Sequence, residues 1–242
     1  MKKVLYGLFL IVFSFSAYAA NYRSVDGRAQ RVLTAQEESL PKLVNYLIKP
    51  YEKSEEMKAR VLLAWIVYHI DFDDYKAEKI QEGATRRSQR KNRVSSGDVF
   101  ETRIGVCADI AALYQRMAGL AGLDSVVIQG YAGSYVTRNN MSENRHAWNA
   151  VKIDGDWELV DPTWAMRGDV SAFQEVGSKV EHAREIDKRL TNTTKTNKTR
   201  DNRHVDDRWF MPKPSEMIKT HYPDDETWQL LPVSKSLGSF LK

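Results

Sequence analysis

Apolar positions 40, 43, 44, 47 and 48 of "SLPKLVNYLIK" recur at helical spacing, with Pro41 in the first turn and Pro50 at the end, and predict a helix over 39–49. Ser54 reads as the cap of a second helix, with Glu55 and Glu56 where the helix dipole favours acids. Its continuation "MKARVLLAWIVYHI" (57–70) is apolar on nearly every side, which predicts a centrally buried helix. A third helical period, apolar at 110, 113, 114, 117 and 120, runs from Asp109 to Leu123, and Gly122 can close it. The texture then changes. "SVVIQGYA" (125–132) reads as a strand, and "HAWNAVKI" and "WELVDPTW" read as two more, joined through Asp154-Gly155, a strong hairpin signal. Helices first and strands afterwards predict an α+β domain.

Between these elements lie polar stretches. Residues 21–33 read as an irregular lead-in, and polar loops are expected near 76–98 and 166–207. Within the second, "RLTNTTKTNKTRDNR" (189–203) is of low complexity and reads as a mobile surface loop. The close, "RWFMPKPSEMIKTHYPDDETWQLL" (208–231), is rich in aromatics and must pack somewhere.

The N-terminus adds a compartment. Lys2 and Lys3, the apolar run "VLYGLFLIVFSFS" and the small residues "AYAA" have the order of a secretory signal peptide over 1–20. The run is short for a bilayer span, so no membrane association is expected after cleavage, and 21–242 is expected to form a single exported domain. The expected location is the periplasm, with secretion as the alternative. The formal charge of +4 falls to +2 without the two leader lysines, too balanced to argue for nucleic acid.

The chain has one cysteine, Cys107, so no internal disulfide can form. Two readings are open at this point: a small buried hydrophobe, or a nucleophile at a helix start. The helix start favours a thiolate through its unpaired N–H groups and partial positive charge, and one N–H can face a developing oxyanion. Asp109 counts against activation unless its carboxylate points away from the sulfur. Among the histidines, His69 lies in the apolar helix and reads as core. His182 and His204 lie in polar sequence, and His221, in the aromatic tail, reads as structural.

His146 heads a predicted strand. With Asp154-Gly155 as the two central turn residues, His146 lies opposite Thr163 and Trp148 opposite Asp161. His146 and Asp161 then become diagonal neighbours on one face. Asp161 is therefore the candidate group to orient the imidazole. There is no CxxC, HExxH or glycine-rich phosphate loop, and neither metal nor cofactor is expected.

These segments resemble a family. "RIGVCADIAALYQRMAGLAG", "RHAWNAVKIDGDWELVDPTWA" and "ARVLLAWIVYHIDFD" resemble the transglutaminase-like superfamily, and the ending "WFMPKPSEMIKTHYPDDETWQLL" is similar to the close of its kyphoscoliosis-peptidase branch. The resemblance implies a papain-like α+β core, with the cysteine at the start of a central helix packed on an antiparallel sheet. It matches Cys107 to the nucleophile, His146 to the base and Asp161 to the orienting acid. It also implies acyl transfer from an amide, in a peptide bond or a glutamine side chain, and a protein or peptide substrate. Trp65 is the candidate for the side-chain oxyanion donor of some members, while Trp148 and Trp164 are candidates to wall the substrate cleft; core packing is the competing use for all three. The sequence departs from several relatives in having "ADI" after the cysteine. Because some members have lost activity, a silent peptide- or protein-binding module on the same fold is the competing function.

Overall fold

The computed structural model describes residues 22–32, 39–81, 96–167 and 203–242. The signal-peptide reading of 1–20 and most of both polar loops lie outside them. Helices α1 (Arg23–Arg31), α2 (Leu40–Ile48) and α3 (Glu55–His69) open the chain. Ser54 caps α3 by accepting the Met57 N–H at 3.2 Å. Every residue from Ala59 to His69 is buried, so α3 is the central rod around which the other helices pack.

The expected irregular lead-in is instead helix α1, a correction with a tertiary cause. Arg60, 1% exposed inside α3, donates to both Asp26 oxygens of α1 at 2.8 and 2.7 Å, and its guanidinium lies over the Tyr22 ring. Val25, Ala29 and Val32 are thereby buried. Burying a guanidinium is tolerated only with such partners.

The chain leaves α3 through β1 (Asp71–Phe72) into α4 (Asp74–Gln81), where a loop was expected from residue 76. After α5 (Ser96–Thr102), strand β2 (Ile104–Gly105) pairs in parallel with β1 and delivers the chain to α6 (Cys107–Leu120). Helix α6 ends in a Schellman motif: Gly122 has φ +78, Gly122 N–H bonds Gly119 O at 3.1 Å, and Leu123 N–H bonds Ala118 O at 2.9 Å.

The sheet is antiparallel and follows β3 (Ser125–Ala132), β4 (Arg145–Ile153) and β5 (Asp156–Val160), with β6 (His221–Pro223) on the far edge, in the order β5-β4-β3-β6. Asp154 and Gly155, at φ +51 and +99, make the two-residue turn, and Asn149 pairs with Val160 as the hairpin register requires. The third strand ends four residues earlier than expected. Pro162 occupies the first position of helix α7 (Pro162–Arg167), so "DPTW" is a helix start.

Helix α6 lies on β3 and β4, pinned by Asn149, whose side-chain amide donates to Ala111 O at 3.0 Å and Val126 O at 3.1 Å. The aromatic tail packs as expected. Val160 bridges Phe210, and Met211 N–H bonds Leu159 O at 2.9 Å along the free edge of β5. At the other edge β6 approaches β3 closely at Gly130, where a Cβ would lie 2.1 Å from Tyr222 O and 2.7 Å from the Trp148 ring.

Gly130→Ala is therefore expected to push β6 off β3 and destabilise the chain by about 3 kcal/mol, read as a lower urea midpoint. A midpoint equal to the parent's would contradict the close approach.

Candidate active site

Cys107 is the first residue of α6 and is partly accessible. Val106 precedes it in an extended conformation, φ −86 and ψ 173, so the chain turns into the helix directly before the thiol. The free N–H groups of the first turn favour negative charge there.

Asp109 faces backwards and sideways. Its Oδ2 accepts the Val106 N–H at 3.2 Å, capping the helix, and the Lys76 ammonium at 2.7 Å. The side chain is only 2% exposed, and Lys76 neutralises it. Lys76 is held in place by α4, which starts where Asp73 N–H bonds Gly105 O at 3.0 Å beside β2. The β1–β2 pairing thus brings an ammonium to the buried Asp109 carboxylate.

His146 stands at the start of β4, its side chain 8% exposed, with Nε2 2.6 Å from Asp161 Oδ2. A carboxylate only accepts, so Nε2 carries a proton and Nδ1 is the ring nitrogen left for the thiol. The ring lies between Trp148 and Trp164, each with its centroid 6.0 Å away. Burial works against the imidazolium, but the Asp161 charge and hydrogen bond, together with a hydrogen bond to Cys107, raise the His146 pKa from 6.5 to about 10.

Asp161 is fully buried and accepts four hydrogen bonds. Oδ1 takes the Thr163 and Trp164 N–H groups at 2.9 and 3.0 Å, making Asp161 the N-cap of α7. Oδ2 takes His146 and also His221 Nε2, at 3.0 Å. Burial alone would raise its pKa, but the two histidines hold it well below the usual carboxylate range.

His221, which the sequence allowed to be structural, bonds the same carboxylate as His146. Its ring is 1% exposed and lies 5.6 Å from that of His146, between Trp164 at 4.4 Å and Trp148 at 5.1 Å. The available signal was a histidine in a run of aromatics, which gave no indication of its partner. Of the other histidines, His69 is buried with Nε2 2.9 Å from Ala29 O, as a core residue should be, and His204 is exposed. His182 lies outside the described residues.

The three tryptophans named as cleft candidates are buried, the core use that the sequence left open for them. Trp65 is 0% exposed and stacks on His69 at 5.1 Å, with the Arg103 guanidinium over it at 4.8 Å. Trp148 and Trp164, at 1% and 0%, back the His146 ring and present no face to solvent. Each fills core volume that a polar site needs around it for rigidity.

His146, Asp161 and His221 place their ligating atoms within 4.8 Å of one another. All the lone pairs of Asp161 are already accepting N–H bonds, so the cluster is organised around protons.

A family model described as the transglutaminase-like superfamily matches residues 41–162. Kyphoscoliosis peptidase of Mus musculus is 28% identical over 222 residues, covering 90% of this chain and 28% of the relative. The Homo sapiens protein of the same name is 27% identical over 204 residues, covering 83% and 26%. The chain thus spans about a quarter of the length of these curated relatives. A solved TGase superposes with a TM-score of 0.42 at 17% identity, over 65% of this chain and 36% of that one.

Two outcomes follow from this electrostatic arrangement. A group whose pKa is raised on folding stabilises the fold fully below its unfolded value, and that stability is lost as pH rises through the folded value. The urea midpoint is therefore expected to fall between about pH 6.5 and about 10, and His146→Phe should flatten that decline. Lys76→Met leaves Asp109 buried without its cation and is expected to cost on the order of 3 kcal/mol in urea unfolding. Lys76→Arg should restore most of it.

Proposed function

We propose a reaction for this chain, which belongs to the transglutaminase-like superfamily: cleavage of a carboxamide through a thioester on Cys107, with His146 as base and acid and Asp161 as its orienting group. The observation that carries this reading is the His146–Asp161 pair at 2.6 Å, with a partly accessible thiol at the start of α6. The buried carboxylate stabilises an imidazolium, and an imidazolium stabilises a thiolate. The raised proton affinity of His146 supports the imidazolium.

In the first step the Cys107 sulfur attacks the carboxamide carbon, and backbone N–H groups of the first turn of α6 face the developing oxyanion. The C–N bond breaks as His146 gives its proton to the departing nitrogen, so ammonia or an amine leaves and a thioester remains. Water then gives a proton to His146 as its oxygen attacks the thioester, and the carbon–sulfur bond breaks to return the thiolate. Hydrolysis is favoured over transfer to a second amine, because no feature of the described residues marks a dedicated amine site. The substrate class is a protein or peptide, consistent with the superfamily. The basic, apolar and small-residue order of residues 1–20 supports export, to the periplasm first, and 21–242 as one domain.

The competing reading is a peptide-binding module with a silent triad. Alkylation separates the two. Iodoacetamide is expected to modify Cys107 in the folded chain at about pH 6, where an unperturbed thiol with a pKa near 8.5 is slow. His146→Ala should slow this on the order of tenfold or more. A thiol that reacts only at alkaline pH, unaffected by removing His146, would sink the enzyme reading. Denaturing mass spectrometry of Cys107-linked acyl groups after incubation with a peptide mixture then identifies the substrate class.

A further inference from the structure

The family model ends at residue 162, yet the chain beyond residue 203 touches the site in three places. Asp161 N–H donates to Trp209 O at 3.0 Å, which fixes the backbone of the carboxylate. Trp209 packs edge-on against Trp164 at 4.7 Å and closes over the His221 ring at 5.2 Å. His221 itself donates to the same Asp161 oxygen that His146 uses.

His221 is held for this task from both sides. Strand β6 pairs it with Ala132 of β3, and Thr220 Oγ1 lies 2.8 Å from its Nδ1. With Nε2 donating to a carboxylate, a neutral His221 offers Nδ1 as an acceptor to the Thr220 hydroxyl at 2.8 Å, a shorter contact than that hydroxyl makes with Met217 O at 3.4 Å. The hydrogen-bonded line then runs Thr220, His221, Asp161, His146. Among the described residues His221 meets the titratable groups Asp161 and His146, the Thr220 hydroxyl and the indoles of Trp148, Trp164 and Trp209.

We propose that His221 is a positioning residue for His146, acting through the shared Asp161 Oδ2, so that the C-terminal arm supplies a fourth member of the site from outside the matched core. An acceptor atom that takes two N–H bonds divides its charge between them. His221 therefore restrains the pull of Asp161 on the imidazolium, which must still release its proton to the leaving nitrogen. It also fixes the carboxylate in the plane that His146 needs. The inference rests on the reaction proposed for Cys107.

The test uses the full chain with His221→Phe, which keeps ring volume without a donor, and His221→Gln, which keeps an N–H near the Nε2 position. The pH profile of Cys107 alkylation by iodoacetamide is measured for each, with folding checked by near-ultraviolet circular dichroism. His221→Phe is expected to move the alkaline breakpoint, where the imidazolium loses its proton, upward on the order of one pH unit, and His221→Gln to keep the parent profile. Coincident breakpoints in all three proteins, or a downward shift in His221→Phe, would overturn the proposal. If His221→Phe does not fold, 15N-histidine NMR of the unmutated chain decides. A neutral His221 protonated at Nε2 supports the assignment, and an Nδ1–H tautomer, which cannot donate to Asp161, overturns it. An unreactive Cys107 in the unmutated chain would remove the proposed reaction instead, and the NMR result would still decide His221.

Discussion

One buried carboxylate organises this end of the molecule. Asp161 is fully buried, and its four acceptor positions are filled by two backbone N–H groups and two imidazole N–H groups. A carboxylate so placed must be satisfied completely, because an unpaired charge in a low-dielectric interior is very costly. The requirement is met only if three segments distant in sequence are correctly docked. Helix α7 must begin at Pro162, β4 must present His146, and the C-terminal arm must bring His221. The same residue therefore terminates a strand, caps a helix and sets the charge state of an imidazole.

The packing around it is chosen to hold this arrangement still. The indoles of Trp148, Trp164 and Trp209 surround the two imidazoles, exclude water and leave few alternative rotamers. Exclusion of water strengthens each charge-assisted bond inside. The other end of the proposed reaction centre has opposite needs. Cys107 stays partly accessible, and its environment is adjusted by fields: the first turn of α6, and a nearby aspartate balanced by Lys76. A rigid buried acid and base beside an accessible sulfur is the combination that acyl transfer requires.

Much of the frame was legible in the chain because it rests on short-range rules. Ser54 and the first turn of α3, the all-round apolar face from Ala59 to His69, and the Asp154-Gly155 turn all have local causes and appear where the pattern places them. The hairpin register also brought His146 to Asp161, although Asp161 lies just past the end of its strand. That difference has a readable cause: Asp-Pro is as good a helix start as it is a strand end, and the β-branched and aromatic neighbours masked it. Residues 23–31 are amphipathic but carry only two buried apolar positions, Val25 and Ala29, among their charges, and α1 is held by the Asp26–Arg60 pair, a contact 34 residues apart.

The sequence by itself determined the α+β order, the lone thiol at a helix start, the hairpin and its parity, since each depends on residues within a turn or a few strand positions of one another. It also carried the family resemblance, through motifs that are specific when taken together. Only the tertiary structure decided that Asp109 is neutralised by Lys76, that Trp65, Trp148 and Trp164 are buried, and that His221 shares the carboxylate of His146. Those outcomes depend on which side chains meet across 33 to 60 residues of intervening chain, and no local period or propensity encodes such a meeting.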